Sequence, residues 1–229
     1  MCRKHILSVL CQWAVFTAAL AAGLFAAAGS THLAFLRAYV AVFSLILLPN
    51  ALLLDPGLSK ERLDPGGKDK GERVVIGLLF LATIGLASAD AGRLNLSGHV
   101  PAALSIIALV AFAAALSLDT WAMVVNPFFS SAVRIQTDRG QHLITRGPYR
   151  CLRHPGYLAM IVGVPASALA IGSWLALMPA AGFCLVITRR VWREDKLLTE
   201  NLPDYREYKQ RIRGALFPRL TTLRARQDL

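Results

Sequence analysis

Acidic residues are scarce in this chain. Only 14 Asp and Glu stand against 25 Lys and Arg in 229 residues, and charged side chains of both signs make up 17%. So little charge, with 55% hydrophobic residues and a mean hydropathy of +0.49, excludes an ordinary soluble domain and places the chain in a bilayer. The four cysteines, Cys2, Cys11, Cys151 and Cys184, lack C-x-x-C spacing, so neither a zinc site nor a disulfide framework is indicated and reduced or buried thiols are expected. Also missing are G-x-S-x-G, H-E-x-x-H, a P-loop and G-x-G-x-x-G, which leaves hydrolase, zincin and dinucleotide-fold readings without motif support. Histidines form no ligand constellation: His142 and His154 lie 12 apart, and His5, His32 and His99 stand at segment ends. No metal site is expected.

What the chain has in abundance is long apolar runs. Ile6 to Ala28 follows a basic head and is long enough to cross ~30 Å of hydrocarbon. Its small residues near Ala26 to Ser30 also suit a cleavable signal, but the run exceeds the ~7–15 apolar residues usual there, which favours an uncleaved helix. Leu33 to Leu54 carries Arg37, placed to snorkel, and Pro49-Asn50. Asp55 to Arg73 reads as a hydrophilic connection whose charges are solvated. A short third span, Val74 to Ala89, precedes a fourth, Val100 to Val125, which contains Asp119. An acid in an apolar helix is a functional candidate by default, although this near-terminal place also suits an interfacial residue paired with an arginine or a helix end. Tyr157 to Thr188 is too long for one span and is read as a hairpin turning at Gly172-Ser173. Trp174 sits at the far interface, Pro179 kinks the returning arm, and small residues such as Gly163 and Gly182 let the arms approach. Val191 to Arg213 follows as a charged helix or helix pair broken at Pro203, with a frayed end from Thr221 to Leu229.

The fold class expected is therefore an all-α polytopic membrane bundle of about six spans, five if the hairpin is partial or the first run is cleaved, with a cytoplasmic C-terminal helical segment. Residues 1–125 would supply the N-terminal spans and residues 126–229 the catalytic half. With the N-terminus inside, nearly every Lys and Arg falls on one side and only Arg37 and Arg93 do not. The net charge of +11 is thus a topology signal, marking the cytoplasmic face of an inner membrane rather than a nucleic-acid partner.

The polar stretch Gly147-Pro148-Tyr149-Arg150-Cys151-Leu152-Arg153-His154-Pro155-Gly156-Tyr157 interrupts this apolar pattern. Two prolines and two glycines predict a preformed turn holding a histidine, two tyrosines and two arginines suited to a polar ligand. A juxtamembrane turn whose arginines meet lipid phosphates has the same composition. The hairpin folds this turn back beside Arg193-Glu194-Asp195 and Tyr205 to Tyr208, making one candidate site from two distant clusters.

The run from His142-Leu143-Ile144-Thr145 through Gly147-Pro148-Tyr149 to Arg153-His154-Pro155-Gly156-Tyr157, followed by Glu194-Asp195, Tyr205 and Tyr208, resembles the isoprenylcysteine carboxyl methyltransferase and phospholipid N-methyltransferase family of integral membrane enzymes. Phe217-Pro218-Arg219 is similar to its terminal segment. The resemblance covers the last hundred residues or so. It implies S-adenosylmethionine as methyl donor, with His142, Leu143, Gly147, Tyr149, His154, Pro155, Tyr157, Glu194, Asp195, Tyr205 and Tyr208 at the donor site. Arg153 and Glu194 would stand at the reaction centre. In this chain Ala159 replaces a common glycine, Asp195 shortens the second acid, and Leu202-Pro203 stands where Phe-Gly is usual, which bears on cavity shape and substrate. The acceptor implied is lipidic or hydrophobic, with a carboxylate, amine or thiol to be methylated. Two rivals remain, a lipid or sterol reductase using NADPH and a non-catalytic membrane protein with a basic surface. Oligomeric state is not legible.

Overall fold

The computed structural model describes residues 3–54, 56–63, 65–66 and 69–217. Pro218, Arg219 and the Thr221 to Leu229 end lie outside them. Eight α-helices follow in order: α1 (Arg3–Ala28), α2 (Ala34–Leu53), α3 (Pro56–Leu63), α4 (Lys70–Ala89), α5 (Ala102–Val125), α6 (Pro155–Ile171), α7 (Leu177–Asn201) and α8 (Tyr205–Arg211). No strand occurs among the described residues, so the fold is the expected helical bundle. Among the described residues four helices are long and apolar enough to cross a membrane, and α6 is a shorter apolar helix. At about 1.5 Å per residue, the 17 residues of α6 reach only about 25 Å, which makes this arm of the hairpin shorter than the four candidate spans.

Leu36, Tyr39, Ile84, Phe112 and Ala168 form the inner core where α2, α4, α5 and α6 meet, while Leu78, Ile107 and Leu185 point outward as lipid-facing residues do. Polar side chains bridge the helices where backbone bonding leaves them free. The Tyr39 hydroxyl donates to Ser167 Oγ, and Asn50 Nδ2 donates to Thr120 Oγ1 at 3.2 Å. Such bonds suit a medium in which an unmet polar group has no water to turn to.

Several local expectations change. The third span is not short, because α4 begins at Lys70 and runs on through a π-helical turn, Asp90–Leu94. The 55–73 connection contains α3, and its acids Glu61 and Asp69 are buried rather than solvated. Pro179 lies in the first turn of α7, where a missing N–H costs little, and so does not kink the arm. The same helix passes unbroken through Arg189-Arg190 to Asn201, so the charged segment is a continuation of the returning arm. Gly163 faces Ala115 of α5 and Gly182 faces Leu79 of α4, so these glycines seat the arms against the bundle rather than against each other. Cys11, Cys151 and Cys184 are free thiols, and Cys11 is exposed rather than buried.

The hairpin turns where expected. Gly172 adopts φ 114°, a left-handed conformation that disfavours any side chain, and it caps α6 through a bond from its N–H to the Ala168 carbonyl. Beside it Asp90, 1% exposed, accepts hydrogen bonds from Leu96 N (2.7 Å), Ser97 N (3.3 Å), Ser97 Oγ and Ser173 Oγ (2.5 Å). This knot ties the α4–α5 connection to the hairpin tip. Replacing Asp90 with Ala leaves two hydroxyls and two amides without their acceptor, and the expected loss is about 3 kcal/mol or more. Thermal unfolding of the detergent-solubilised variant checks this, with a small shift like that of a surface substitution counting against the knot.

Candidate functional site

The opposite end of the hairpin carries the polar residues. A cavity of about 320 Å³ opens there, within the ~300–1,000 Å³ usual for small-molecule sites. Its walls combine α4, the 126–144 segment, the 147–157 turn, α7 and α8. The turn is a single 3-10 helix, Gly147–Arg150, leading to Pro155 at the first position of α6. Gly156 has to be glycine, because a Cβ there would lie 2.4 Å from the Phe129 ring.

Asp195 is the hub of the turn. Arg153 approaches its carboxylate side-on, with Nε 2.8 Å from Oδ1 and Nη2 3.2 Å from Oδ2. His154 Nε2 lies 3.1 Å from Oδ1, Tyr205 donates its hydroxyl at 2.9 Å, and Lys209 Nζ lies 2.7 Å from Oδ2. Burial alone would raise this carboxyl, but the bonds from His154, Arg153, Lys209 and Tyr205 outweigh it and hold the group well below the usual carboxylate range. Tyr205 shifts upward, through burial and then through the Asp195 charge beside it. Arg153 also donates to the Ile212 carbonyl at 2.7 Å, and Tyr208 donates to the carbonyls of Tyr149 (2.7 Å) and Leu152 (3.2 Å). The amides of Arg153 and His154 bond Gly214 and Ala215, which closes the C-terminal stretch over the turn.

A second network lines the cavity one helical turn earlier on α7. Tyr157 donates to Glu194 Oε2 and accepts from Arg190 Nε at 2.9 Å. Arg190, 3% exposed, also donates through Nη2 to the Ser131 carbonyl and pairs with Asp69 at 3.0 Å. Its Nη1 is buried without a hydrogen-bond acceptor; Glu72 Oε2 stands 3.5 Å away, out of line for one. Around the rim, Arg134 holds Glu61, Asp138 and the Pro65 carbonyl, joining the α3 region to the 128–138 segment.

Most residues picked from the sequence therefore converge. His142, Leu143, Tyr149, Arg153, His154, Pro155, Tyr157, Glu194, Tyr205 and Tyr208 all line the cavity. Gly147 does not; it takes φ 59° and packs against Val125 and Trp121. Asp195 is also outside the lining, with both oxygens already engaged. The ion pair expected for an interfacial Asp119 is not made: Oδ1 is buried with no hydrogen-bond partner, just behind Gly156. Sequence reasoning missed Arg190, although its i, i+4 spacing to Glu194 puts both on one helix face. It also missed Arg62, Arg73 and the acids of the 61–72 region, which carry no periodic signal. Among the described residues no group of three or more His, Cys, Asp or Glu is placed to hold a metal ion.

The phospholipid methyltransferase family model matches residues 99–204, from the start of α5 through the turn after α7. Over that span the chain is similar to this family. It is also 35% identical over 95 residues to the nickel-cobalt-cadmium resistance protein NccN of Alcaligenes xylosoxydans xylosoxydans, covering 41% of this chain and 44% of that one. A similar match, 33% over 98 residues, is to the cobalt-zinc-cadmium resistance protein CzcN of Cupriavidus metallidurans, covering 41% and 43%. The chain thus aligns with less than half the length of either relative. The phospholipid methyltransferase segment includes the whole hairpin and the Arg153–Asp195 pair, but not α3, α4 or α8.

The depressed Asp195 carboxyl makes a pH prediction. A lowered folded-state value contributes stability that is complete above the unfolded value of about 3.9 and is lost as pH falls through the folded one. This contribution is accordingly flat from pH 8 to 5 and declines only below about pH 4. Asp195→Asn leaves Arg153 and Lys209 without their counter-charge, and the expected loss at neutral pH is about 3 kcal/mol. Unfolding temperatures of both proteins across pH 3 to 8 test it; curves that stay parallel at the acid end contradict it.

Proposed function

We propose that this protein is an S-adenosylmethionine-dependent membrane methyltransferase acting on a lipidic or small hydrophobic acceptor at the cytoplasmic face. One observation carries the reading. The cavity joins Arg190, whose buried Nη1 faces Glu72 at 3.5 Å without a hydrogen bond, and the Glu194 carboxylate to an apolar wall of Ile76, Met160 and Ile187. A donor with a zwitterionic amino acid end fits that pair: Arg190 would hold its carboxylate and Glu194 its ammonium. When bound, the donor supplies a methyl group activated on a positively charged sulfur.

The protein's part is placement and dryness. Tyr157, bonded on one side to Glu194 and on the other to Arg190, keeps both charges at fixed separation. His154 is turned by Asp195 so that its ring tilts beside Tyr157, at 5.8 Å between centroids. Arg153, expected at the reaction centre, lines the cavity but spends its donors on Asp195 and Ile212, which makes it a positioning residue. Asp195 has the same role. Apolar walls and a buried floor exclude water, so that reacting charges are neither solvated nor screened. The positive-inside pattern supports a cytoplasmic-membrane orientation with this end facing the donor pool. The two relatives are named for resistance to metals, and a methylated product made at the membrane is compatible with that setting.

Calorimetry on the detergent-purified protein tests the proposal. S-adenosylmethionine should bind saturably and NADPH should not. Arg190→Ala and Glu194→Ala should each weaken donor binding at least tenfold, about 1.4 kcal/mol. Binding of NADPH alone would replace the proposal with a reductase, and a folded protein that bound neither would remove the donor site.

A further inference from the structure

Five arginines line the cavity, and four of them are already engaged. Arg73 bonds Asp69 and the Gly66 carbonyl, Arg134 bonds Glu61 and Asp138, Arg153 bonds Asp195, and Arg190 bonds Tyr157 and Asp69. Arg62 differs. Among the described residues its guanidinium makes no hydrogen bond and no ion pair, although it faces the same cavity. It lies over the Phe129 ring, 5.6 Å from the centroid, and Phe129 in turn fills the space left by Gly156. The Asp119 carboxylate acts on it from behind that wall without reaching it. Burial lowers the Arg62 pKa, and Asp119 only partly opposes the shift.

A half-buried guanidinium that has no protein acceptor, yet whose nitrogens stay open to a cavity, offers its N–H fork to whatever anion enters. The aromatic ring beside it supports the cation through its π face. The remaining cavity-lining carboxylate, Glu194, already accepts from Tyr157 and sits on α7 with the donor groups. Ile76 and Met160 line the same cavity, an apolar surface suited to a hydrocarbon chain. Arg62 belongs to α3, outside the residues matched by the family.

We propose that Arg62, stacked on Phe129, is an anion-recognition subsite that selects acceptors carrying a carboxylate or phosphate on an apolar chain. The proposal rests on the methyltransferase reading for the word acceptor, but the subsite itself does not. It divides the cavity: the donor is held on the α7 side, the acceptor's charged group on the α3 side. A purely cationic amphiphile would leave Arg62 unpaired and meet it as a like charge, so amines without a nearby anion are disfavoured.

The test is binding of three probes of equal chain length, oleate, oleyl phosphate and oleylamine, to the full-length protein in a non-ionic detergent, followed by calorimetry. Both anions should bind saturably and oleylamine at least tenfold more weakly; if one anion far exceeds the other, that head group is the one the subsite takes. Arg62→Gln should weaken anion binding tenfold or more, and Arg62→Lys should recover part of it. Arg139→Gln, which removes a second arginine–phenylalanine contact made by a guanidinium that does not line the cavity, should change nothing. Thermal unfolding confirms that each variant is folded, and Arg62→Met stands in where the glutamine variant is not. Anion binding that survives loss of Arg62, or oleylamine binding as tight as oleate, overturns the subsite. S-adenosylmethionine binding is measured in parallel: its absence with the anion pattern intact sinks the methyltransferase reading and leaves the subsite standing.

Discussion

A carboxylate removed from water must find donors, and the Asp195 carboxylate finds them on two other stretches of chain. Arg153 and His154 come from the turn before α6, Tyr205 and Lys209 from α8, and Asp195 itself from α7. Because the turn and α7 are joined only through the hairpin, this one group fixes the separation of the hairpin's open ends. The tyrosine contacts follow from it. Once α8 is drawn in, Tyr208 reaches the carbonyls of Tyr149 and Leu152 and closes the floor of the cavity. The side chains that point into the cavity, Tyr157, Arg190 and Glu194, inherit their positions from that frame.

The membrane spans were legible because hydrocarbon imposes a simple rule, long apolar runs with charges only at their ends, and the chain obeys it. The hairpin turn was legible for a similarly local reason, since Gly172 alone suits its conformation. The convergence of the 147–157 turn with Glu194 and Asp195 followed from hairpin length and from the family resemblance. What escaped were charges that look solvated in one dimension. Glu61, Asp69, Glu72 and Arg62 lie in a segment with no periodicity, and only the fold brings the acids against Arg134 and Arg190 and sets Arg62 on Phe129. Arg190 was hidden by its setting in Arg189-Arg190, which reads as the ordinary cationic end of a membrane helix. Asp195 was legible as a site residue but not as a hub, because sequence does not show that four donors converge on it.

This pattern divides the labour along the chain unevenly. The family-matched residues, 99–204, contain the hairpin and the acids of α7. Yet one wall of the cavity comes from α3 and α4, upstream of that match. The two halves read from the sequence therefore meet in the cavity rather than working apart, through Arg134 with Glu61 and Arg190 with Asp69. Recognition of the donor and recognition of the acceptor fall on different parts of the chain under the proposed reading, so one can vary while the other is retained.

The knot around Asp90 also decides how the molecule can move. It locks the hairpin at the membrane face farthest from the cavity, where Ser173 and Ser97 are tied to one buried acid. A pair of arms fixed at the tip can part only at the other end, as tongs do. Any opening wide enough to pass a bulky amphiphile must then swing about Ser173 and strain the contacts of Asp195 most, since they lie at the greatest radius. The same lever that keeps α6 and α7 in register within the bilayer concentrates motion on the charged groups around the cavity, and leaves the apolar interior between them nearly still.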